Sequence, residues 1–301
     1  MINDDKTIKI LFFGDLVGRP GRFAVRDFLS NVKRTRVEEG KLSTYYNLNS
    51  VCDTYPSALQ PSFIIANVEN ASHGFGLTEK NYKEISEYGV DCMTSGNHIW
   101  DKKEIFNYIS NAEKLIRPFN YPAGTIGQGS HVFEIEDGLN IAVINALGRV
   151  FMSPVESQWT LLANEIKRLK EITPIVIVDF HAEATAEKIC FAKFCSELGT
   201  SAFFGTHTHV QTADEQIMNN MAYITDAGFC GSADSVIGME YLTSLNRFTT
   251  VVPERYEVAD GNVVQINAVE VEINRQSGHA AAIKRIFMLT DKEKKEKDNE
   301  E

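Results

Sequence analysis

Long apolar runs and targeting signals are absent from this sequence of 301 residues. No uninterrupted apolar stretch approaches the roughly 20 residues needed to span a bilayer. The segment Met1–Lys9 contains no basic region followed by an apolar stretch, as a secretory signal would. We therefore expect a cytoplasmic protein that does not associate with membranes.

Cysteine is scarce, and its five residues are not spaced for paired chemistry. Their number is odd, and none of them forms a CxxC pair. Several lie in apolar stretches, where a thiol packs as a small hydrophobic group. The cysteines are Cys52, Cys92, Cys190, Cys195 and Cys230. We predict that they are reduced and structural.

Positive charge is in deficit, because 30 Lys and Arg residues face 41 Asp and Glu residues, for a formal net charge of -11. Proteins that hold nucleic acid by neutralising its phosphates need a surface of lysine and arginine. We therefore do not expect stable nucleic-acid binding. A small phosphate ligand remains compatible with this charge, because bound metal ions would supply positive charge locally.

What the sequence does contain is a repeated order of apolar run, polar cluster and helical segment. Ile8–Phe13, Phe63–Asn67 and Val90–Thr94 are typical of buried strands, and a polar cluster follows each of them. The chain, with 43% apolar residues, is long enough to bury a large core. These features predict an α/β fold in one domain over residues 1–290, with polar clusters at the strand ends where open α/β sheets bind ligands.

Other segments depart from this order. Residues 36–62 have mixed polarity and no sustained period, which predicts a surface insertion. Residues 291–301 are nearly all charged or amide residues, which predicts a disordered tail. Asp137-Gly138 separates two apolar stretches and indicates a β-hairpin. The stretches Val263–Ile273 and Ala280–Phe287 suggest a closing antiparallel pair at the sheet edge.

The polar clusters contain side chains that suit divalent transition metals. The candidate ligands are Asp15, Glu69, Asn70, Asn97, His181, His207 and His209. Two such ions about 3.5–4 Å apart can clamp a phosphoryl group and activate a shared hydroxide. In His207-Thr208-His209, alternation along an extended backbone would place both imidazoles on one side. His98, next to Asn97, is the candidate proton donor.

The set of motifs resembles the calcineurin-like metallophosphoesterase superfamily. The shared motifs are Gly14-Asp15, Gly96-Asn97-His98, His181 and His207-Thr208-His209. Further stretches, including Asn67-Val68-Glu69-Asn70 and Thr225-Asp226-Ala227-Gly228, resemble its bacterial YmdB-type branch. The resemblance covers roughly Lys9 to Met288 and implies central mixed sheets with flanking helices, an αββα sandwich.

This resemblance also implies a reaction and a cofactor. It implies a dinuclear phosphodiesterase that acts on 2′,3′-cyclic nucleotides, with a metal-bridging hydroxide as nucleophile and His98 as proton donor. One metal would bind Asp15, Glu69, Asn70 and His209, and the other Glu69, Asn97, His181 and His207. The oxygen and nitrogen donors fit iron or manganese, and also zinc. Homo-oligomers are common in this branch.

Two positions depart from the general superfamily pattern. Val17 stands where most members have a histidine, and Glu69 stands where most have a bridging aspartate. The YmdB-type branch shares both changes. Its pattern implies that Asn70 takes up the coordination that the missing histidine would provide.

Several further polar residues have two interpretations. His73 lies in a glycine-bounded loop and is a candidate substrate contact or a surface histidine. Asp226 either contacts the site or caps a turn, and we favour the turn. Glu183 is expected to be solvent-facing or to support a ligand rather than bind metal.

Competing functions remain open on the sequence alone. The same two metals would also serve a phosphomonoesterase or nucleotidase, since pocket shape alone decides between the esters. A regulatory protein that binds a nucleotide and hydrolyses it slowly is a second alternative. A metal-stabilised interaction protein is the least favoured, because such a site has no need of a proton donor beside Asn97.

Overall fold

A computed structural model describes residues 6–37, 61–136, 138–250 and 252–291. Of residues 31–37 and 136 it describes the backbone alone. Most of the predicted insertion at residues 36–62 and of the predicted tail at residues 291–301 lies outside the described residues. Both therefore stay predictions.

The elements alternate along most of the chain as the sequence pattern indicates. The strands are β1 (Thr7–Phe13), β2 (Asp15–Leu16), β3 (Phe63–Asn67), β4 (Cys92–Thr94), β5 (Ser130–Glu136), β6 (Leu139–Leu147), β7 (Val176–His181), β8 (Ala202–Thr206), β9 (Gln216–Met218), β10 (Met221–Ile224), β11 (Phe229–Ser232), β12 (Val263–Asn274) and β13 (Ala280–Asp291). The helices are α1 (Gly18–Val37), α2 (Glu79–Glu87), α3 (Ile105–Tyr108), α4 (Gln158–Lys170), α5 (Thr185–Glu197) and α6 (Tyr241–Thr250).

The strands form two mixed sheets. The first has the order β2-β11-β12-β1-β3-β4, with β13 paired to β12, and the second has the order β5-β6-β7-β8-β10-β9. In the first sheet β1, β3 and β4 are parallel, and in the second β6, β7, β8 and β10 are parallel. Consecutive parallel strands end at the same edge of each sheet, so the loops that follow them are neighbours.

The core lies between the two sheets and continues on their outer faces. Ile8, Ile10 and Phe12 of β1 face the second sheet, and the Phe12 ring stacks on Phe204 with centroids 4.3 Å apart. Leu11 and Phe13 point the other way, towards α1. Because successive side chains of a strand alternate between faces, a strand buried on both sides has a continuous apolar sequence.

Helices cover the outer faces of both sheets. On α1, residues at helical spacing pack into the outer core of the first sheet, and on α4 and α5 others pack against the second. These residues are Val25, Phe28 and Leu29 on α1, Leu162, Ile166 and Leu169 on α4, and Phe191, Ala192 and Cys195 on α5. The predicted αββα sandwich of central mixed sheets and flanking helices is confirmed.

One helix, the closing strand pair and one helix cap can be compared with the elements expected from the sequence. The residues that follow Gly96-Asn97-His98 predict a helix over about 102–111, but only Ile105–Tyr108 is α-helical and a 3₁₀ turn follows at Ile109–Asn111. β13 forms a sheet edge as expected, whereas β12 also pairs with β1 and β11 and is interior. Thr78, followed by Glu79, is predicted from the sequence as the N-cap of a helix, and it caps α2, because its side chain accepts a hydrogen bond from the Asn81 backbone N–H.

The cysteines that the structure describes form no disulfide bond. Cys92, Cys190, Cys195 and Cys230 are free thiols, and all but Cys190 are buried. Cys52 lies outside the described residues. Among the helices that the structure describes, none is both long and apolar enough to cross a membrane.

The ring pair between the sheets gives a direct test of this architecture. Phe204→Ala removes a fully buried ring and leaves a cavity, so we expect the free energy of unfolding to fall by about 3–5 kcal/mol. Phe151→Ala is the control, because its ring is 89% exposed and its loss is expected to change stability by less than about 0.5 kcal/mol. Chemical denaturation measures both, and equal losses would contradict the described packing.

Candidate metal centre

Loops from the two sheets meet at one edge of the sandwich and bring the predicted ligands together. Asp15 follows β1, Glu69 and Asn70 follow β3, and Asn97 follows β4 of the first sheet. His181 ends β7, and His207 follows β8 of the second sheet. These side chains are therefore held at the carboxyl ends of buried strands, where backbone position is fixed by the sheet.

One group of donors gathers around His181. The His181 Nε2 atom lies 3.0 Å from Glu69 Oε1 and 3.0 Å from Nδ1 of His207. Glu69, His181 and His207 each offer a ligand atom, and these atoms all lie within 4.8 Å of one another. This arrangement is able to hold a metal ion, because one carboxylate and two imidazoles converge on a single point.

A second group of donors gathers around His209. Its Nε2 atom lies 3.2 Å from Asn70 Oδ1 and 4.0 Å from Asp15 Oδ2. Asp15 connects the two groups, since its Oδ1 atom lies 3.8 Å from His181 Nδ1 and its Oδ2 atom accepts a hydrogen bond from the His207 backbone N–H. Each group contains part of one of the two ligand sets that the family resemblance implies, and the division of the ligands between two metals stays a prediction.

Within the described part of the chain, two buried oxygen atoms lack a hydrogen-bond donor and are therefore available to bind a cation. Asp15 Oδ1 and Asn97 Oδ1 are buried and accept no hydrogen bond from the described residues. Leaving such a buried acceptor unsatisfied costs about 1–3 kcal/mol, and more for a charged group. Gly96 keeps the space clear, because a β-carbon there would overlap the Glu69 carboxylate and the His181 ring. The residues present therefore fit divalent metal ions.

Two of the three imidazoles have the protonation state that suits metal binding. Burial lowers the pKa of His207 to about 3 and also lowers the pKa of His209, so both imidazoles are neutral at pH 7, the form that binds metal. Burial alone would lower the pKa of His181, but the Glu69 carboxylate raises it to about 9, so this ring has to lose a proton when a metal binds. Burial raises the pKa of Asp15 well above its usual value. Burial alone would also raise the pKa of Glu69, but the adjacent His181 lowers it. A bound cation would favour the charged form of both carboxylates.

The backbone of the His207–His209 loop differs from the sequence expectation. The prediction of an extended segment is wrong, because β8 ends at Thr206 and both histidines have positive φ, 101° at His207 and 65° at His209. Such conformations cost of order 1–3 kcal/mol each and persist only when neighbouring contacts fix them. The imidazoles therefore reach the site by a tight loop and not by strand alternation.

Asp226 supplies the contacts that fix this loop. Its Oδ2 atom accepts hydrogen bonds from the Thr208 backbone N–H at 3.1 Å and the Thr208 hydroxyl at 2.6 Å. The same oxygen accepts from the fully buried Lys188 ammonium at 2.7 Å. Asp226 Oδ1 accepts from the Gly228 N–H, which is the turn role expected from the sequence. The sequence does not indicate the pairing with Lys188, because a lysine on a helix is ordinarily a surface residue.

A second buried carboxylate, Asp179, supports His181 through a hydroxyl group. The Thr206 hydroxyl donates to Asp179 Oδ1 at 2.7 Å and lies 2.9 Å from His181 Nδ1. Since the hydroxyl proton is used by Asp179, Thr206 accepts from Nδ1–H, so His181 Nε2 is the ring nitrogen that faces Glu69 and His207 and that can bind a metal ion. Burial raises the pKa of Asp179 to about 6. An aspartate inside the apolar run of β7 was the one sequence signal for this support.

His98 lies on the wall of the site, outside the ligand cluster. Its backbone N–H donates to Glu69 Oε2 at 3.0 Å, and its Nδ1 lies 2.8 Å from Asp101 Oδ2. A carboxylate at Nδ1 accepts that proton and leaves Nε2 available to a ligand. The ring also packs edge-on against Phe75, with centroids 4.9 Å apart.

A cavity of about 340 Å³ opens above the donors, with Glu69, Asn70, His98, His207 and His209 among its lining residues. Glu183 also lines it, and its Oε2 atom lies 3.1 Å from His207 Nε2, so it supports this imidazole from the solvent side. His73 is exposed, has a φ of 57° and does not line this cavity. Its role in substrate contact stays a prediction.

Comparison with known proteins agrees with this geometry. The model of the YmdB-like protein family matches residues 45–286. The 2′,3′-cyclic-nucleotide 2′-phosphodiesterase of Bacillus subtilis (strain 168) is 40% identical over 285 residues, which cover 94% of this chain and 98% of that protein.

Solved structures of the same size also match. A crystal structure of a novel phosphatase from Mycoplasma pneumoniae has a TM-score of 0.81 and 32% identity, and the match covers 97% of this chain and 96% of that one. A hypothetical protein from Thermus thermophilus has a TM-score of 0.79 and 32% identity, with 94% and 99% of the two chains covered.

The fold and the site define a protein of the calcineurin-like metallophosphoesterase class. Within that class, the chain belongs to the YmdB-like family. The family predicted from the motifs is therefore confirmed, and with it the enzyme class of phosphoric ester hydrolase. A cytoplasmic location and homo-oligomer formation stay predictions.

The Thr206 contact leads to a test of metal binding. Thr206→Val keeps the side-chain shape but removes the acceptor for His181 Nδ1–H, so we expect the affinity for Mn²⁺ to fall by about 10- to 100-fold. Equilibrium dialysis of the metal-free protein against Mn²⁺ measures this affinity.

Two control variants accompany that measurement. Thr206→Ser retains the hydroxyl and is expected to bind Mn²⁺ as the wild type does. Thr200→Val makes the same change at another buried hydroxyl, one with no hydrogen-bond partner among the described residues. An unchanged affinity in Thr206→Val, or an equal loss in Thr200→Val, would contradict the supporting role of Thr206.

Proposed function

We propose that this protein is a metal-dependent phosphodiesterase that opens 2′,3′-cyclic nucleotides at the bond to O2′. The observation that carries this proposal is the convergence of carboxylate, amide and imidazole donors at the floor of one cavity, with His98 on its wall. The activity printed for the Bacillus subtilis relative supports the choice of ester.

Two divalent ions would be held by these donor groups, and Glu69 would contribute to both sites. Asp15, Asn70 and His209 would complete one site, and Asn97, His181 and His207 the other. When bound, the ions would place positive charge next to the phosphoryl oxygens. They would also lower the pKa of a water molecule, so that hydroxide is available at neutral pH to attack phosphorus. Iron or manganese suits these oxygen and nitrogen donors, as does zinc.

The chain itself contributes proton transfer and orientation. As the water oxygen bonds to phosphorus and the P–O2′ bond breaks, His98 donates a proton to O2′, which leaves a nucleoside 3′-phosphate. Asp101 accepts from His98 Nδ1 and so directs Nε2 at the leaving oxygen. No side chain has to act as a nucleophile, because the described cavity lining contains no cysteine and the hydroxyl group of Ser244, which lines the cavity, donates its hydrogen bond to the Glu240 carbonyl.

A phosphomonoesterase is the second candidate function, because the similar protein from Mycoplasma pneumoniae is described as a phosphatase. The same metal centre would serve phosphomonoesters and phosphodiesters. The two functions differ in whether the pocket accommodates the second ester group that a diester carries on phosphorus. Rates on 2′,3′-cyclic AMP and on adenosine 3′-monophosphate separate the two functions. The proposed function predicts that the cyclic diester is the better substrate.

The central test uses protein reconstituted with Mn²⁺ or Fe²⁺. We expect it to hydrolyse 2′,3′-cyclic AMP to adenosine 3′-monophosphate, as followed by chromatography, and to lose this activity in excess chelator. Glu69→Gln is expected to abolish turnover, because the amide loses the charge that both ions share. Glu134→Gln, an exposed glutamate on β5, is the matched control. Full activity in chelator, or in Glu69→Gln, would reject the proposal.

The proton-donor role of His98 has its own test. His98→Ala is expected to slow hydrolysis of 2′,3′-cyclic AMP by about 10²- to 10⁴-fold, because the ribose oxygen is a poor leaving group without a proton. Hydrolysis of bis-p-nitrophenyl phosphate is expected to fall much less, since p-nitrophenolate leaves without protonation. An equal loss of kcat on both substrates would argue against His98 as the donor.

A further inference from the structure

The cavity above the metal centre has two chemically different halves. Its floor carries the polar ligands, whereas its wall is apolar and largely aromatic. The wall consists of Phe75, Val236, Ile237, Met239, Phe248 and Tyr256. Hydrolysis of a phosphoester uses only the floor, because a phosphate group has no apolar surface to bury. The wall is therefore expected to contact an apolar part of the ligand, away from the phosphate group.

The aromatic wall starts directly beside His98. The Phe75 ring packs on the His98 ring at 4.9 Å and lies 6.4 Å from the Tyr256 ring, at an angle of 36°. The Arg247 guanidinium lies 4.2 Å from the centroid of the Tyr256 ring and donates a hydrogen bond to the Glu254 carbonyl. Tyr256 is thus held between neighbouring groups, and the rings form a continuous surface away from the proton donor.

Phe248 completes this wall from α6. It follows Ser244 by four residues, so both side chains lie on the same face of the helix, and both line the cavity. Ser244 is buried, whereas the Phe248 ring is 73% exposed. A large exposed ring that lines a ligand cavity is available to pack on a ligand, and aromatic rings are typical of surfaces on which bases stack.

The proposed substrate places a flat aromatic group beside this wall. In a 2′,3′-cyclic nucleotide the base is attached to C1′, next to the C2′ atom whose oxygen leaves. If His98 protonates O2′, the base is therefore held on the side of the cavity next to His98, which is where Phe75 and Tyr256 lie. A nucleobase has apolar faces for stacking and polar edges that remain in contact with solvent.

We propose that Phe248 and Tyr256, with Phe75 beside them, form a nucleobase-stacking subsite that sets the preference of the enzyme for nucleotides over smaller cyclic phosphodiesters. This inference rests on the proposed function and names the part of the substrate that the wall binds. The cavity, at about 340 Å³, is near the lower end of the roughly 300–1,000 Å³ range of ligand pockets. A mononucleotide suits this size, and the acidic chain does not attract a longer nucleic acid.

The test compares two substrates that share the cyclic phosphodiester and differ in the base. Metal-loaded wild-type protein is assayed with 2′,3′-cyclic AMP and with glycerol 1,2-cyclic phosphate. Phe248→Ala and Tyr256→Ala are each expected to raise KM for the nucleotide by about 5- to 100-fold, since a stacked base contributes that much, with little change in kcat. On glycerol cyclic phosphate the two variants are expected to match the wild type.

Control variants separate stacking from damage to the helix. Leu242→Ala changes another exposed apolar residue of α6 that does not line the cavity, and is expected to alter neither substrate's hydrolysis. Phe248→Trp retains an aromatic face and is expected to keep a low KM, whereas Phe248→Leu keeps apolar volume but not the face and is expected to raise it. Thermal melting of each variant identifies any loss of folding.

The outcomes distinguish this inference from the proposed function. Equal losses on both substrates in Phe248→Ala, or equal kcat/KM values of the wild type for both substrates, would overturn the stacking subsite and leave the phosphodiesterase intact. If the wild type hydrolyses neither substrate, the proposed function fails. Calorimetric titration of metal-loaded wild type and Phe248→Ala with adenosine 3′-monophosphate then decides, since equal affinities would overturn the subsite.

Discussion

The burial of the Asp15 and Glu69 carboxylates at one point between two sheets is the constraint on which the site depends. Both side chains are almost fully removed from solvent, and Asp15 Oδ1 has no hydrogen-bond partner among the described residues. A buried carboxyl group either takes up a proton or requires a compensating positive charge. The three imidazoles close to this pair are also able to bind a cation, and so the arrangement fits a site built around metal.

The fold serves this constraint by fixing where each donor can lie. Strands buried on both faces end at the same edge, and the loops after them carry most of the donors to within 4.0 Å of a neighbouring donor. The loop with His207 and His209 is strained, and a buried ion pair of Asp226 and Lys188 holds it from behind. Breaking such a pair on one side leaves an uncompensated buried charge, which is strongly destabilising. Structural support and ligand geometry are therefore coupled at this edge.

Much of the fold and of the ligand set was predictable because the signals are local. An apolar run followed by Gly14-Asp15 or Gly96-Asn97 marks a strand and the loop after it, whatever the rest of the chain does. The Thr78 cap and the hairpin at Gly138 are likewise set by a few neighbouring residues. The ligand types then follow from the chemistry of the side chains at those strand ends.

The remaining features depend on contacts between distant residues. Lys188 is buried only because Asp226 lies across the fold from it, and no spacing in the sequence indicates that pair. α6 was not predicted, because its buried residue is Ser244 while Leu242 and Phe248 are exposed, the reverse of an ordinary amphipathic helix. The positive φ angles at His207 and His209 are also imposed by tertiary hydrogen bonds and not by residue type.

The most direct measurement is anomalous diffraction at the manganese edge from crystals of protein loaded with Mn²⁺. Two peaks are expected between the loops, one next to Asp15, Asn70 and His209 and the other next to Asn97, His181 and His207, with the Glu69 carboxylate in contact with both. The absence of any peak among these residues, under conditions where Mn²⁺ is in excess, would contradict a metal centre at this edge of the fold.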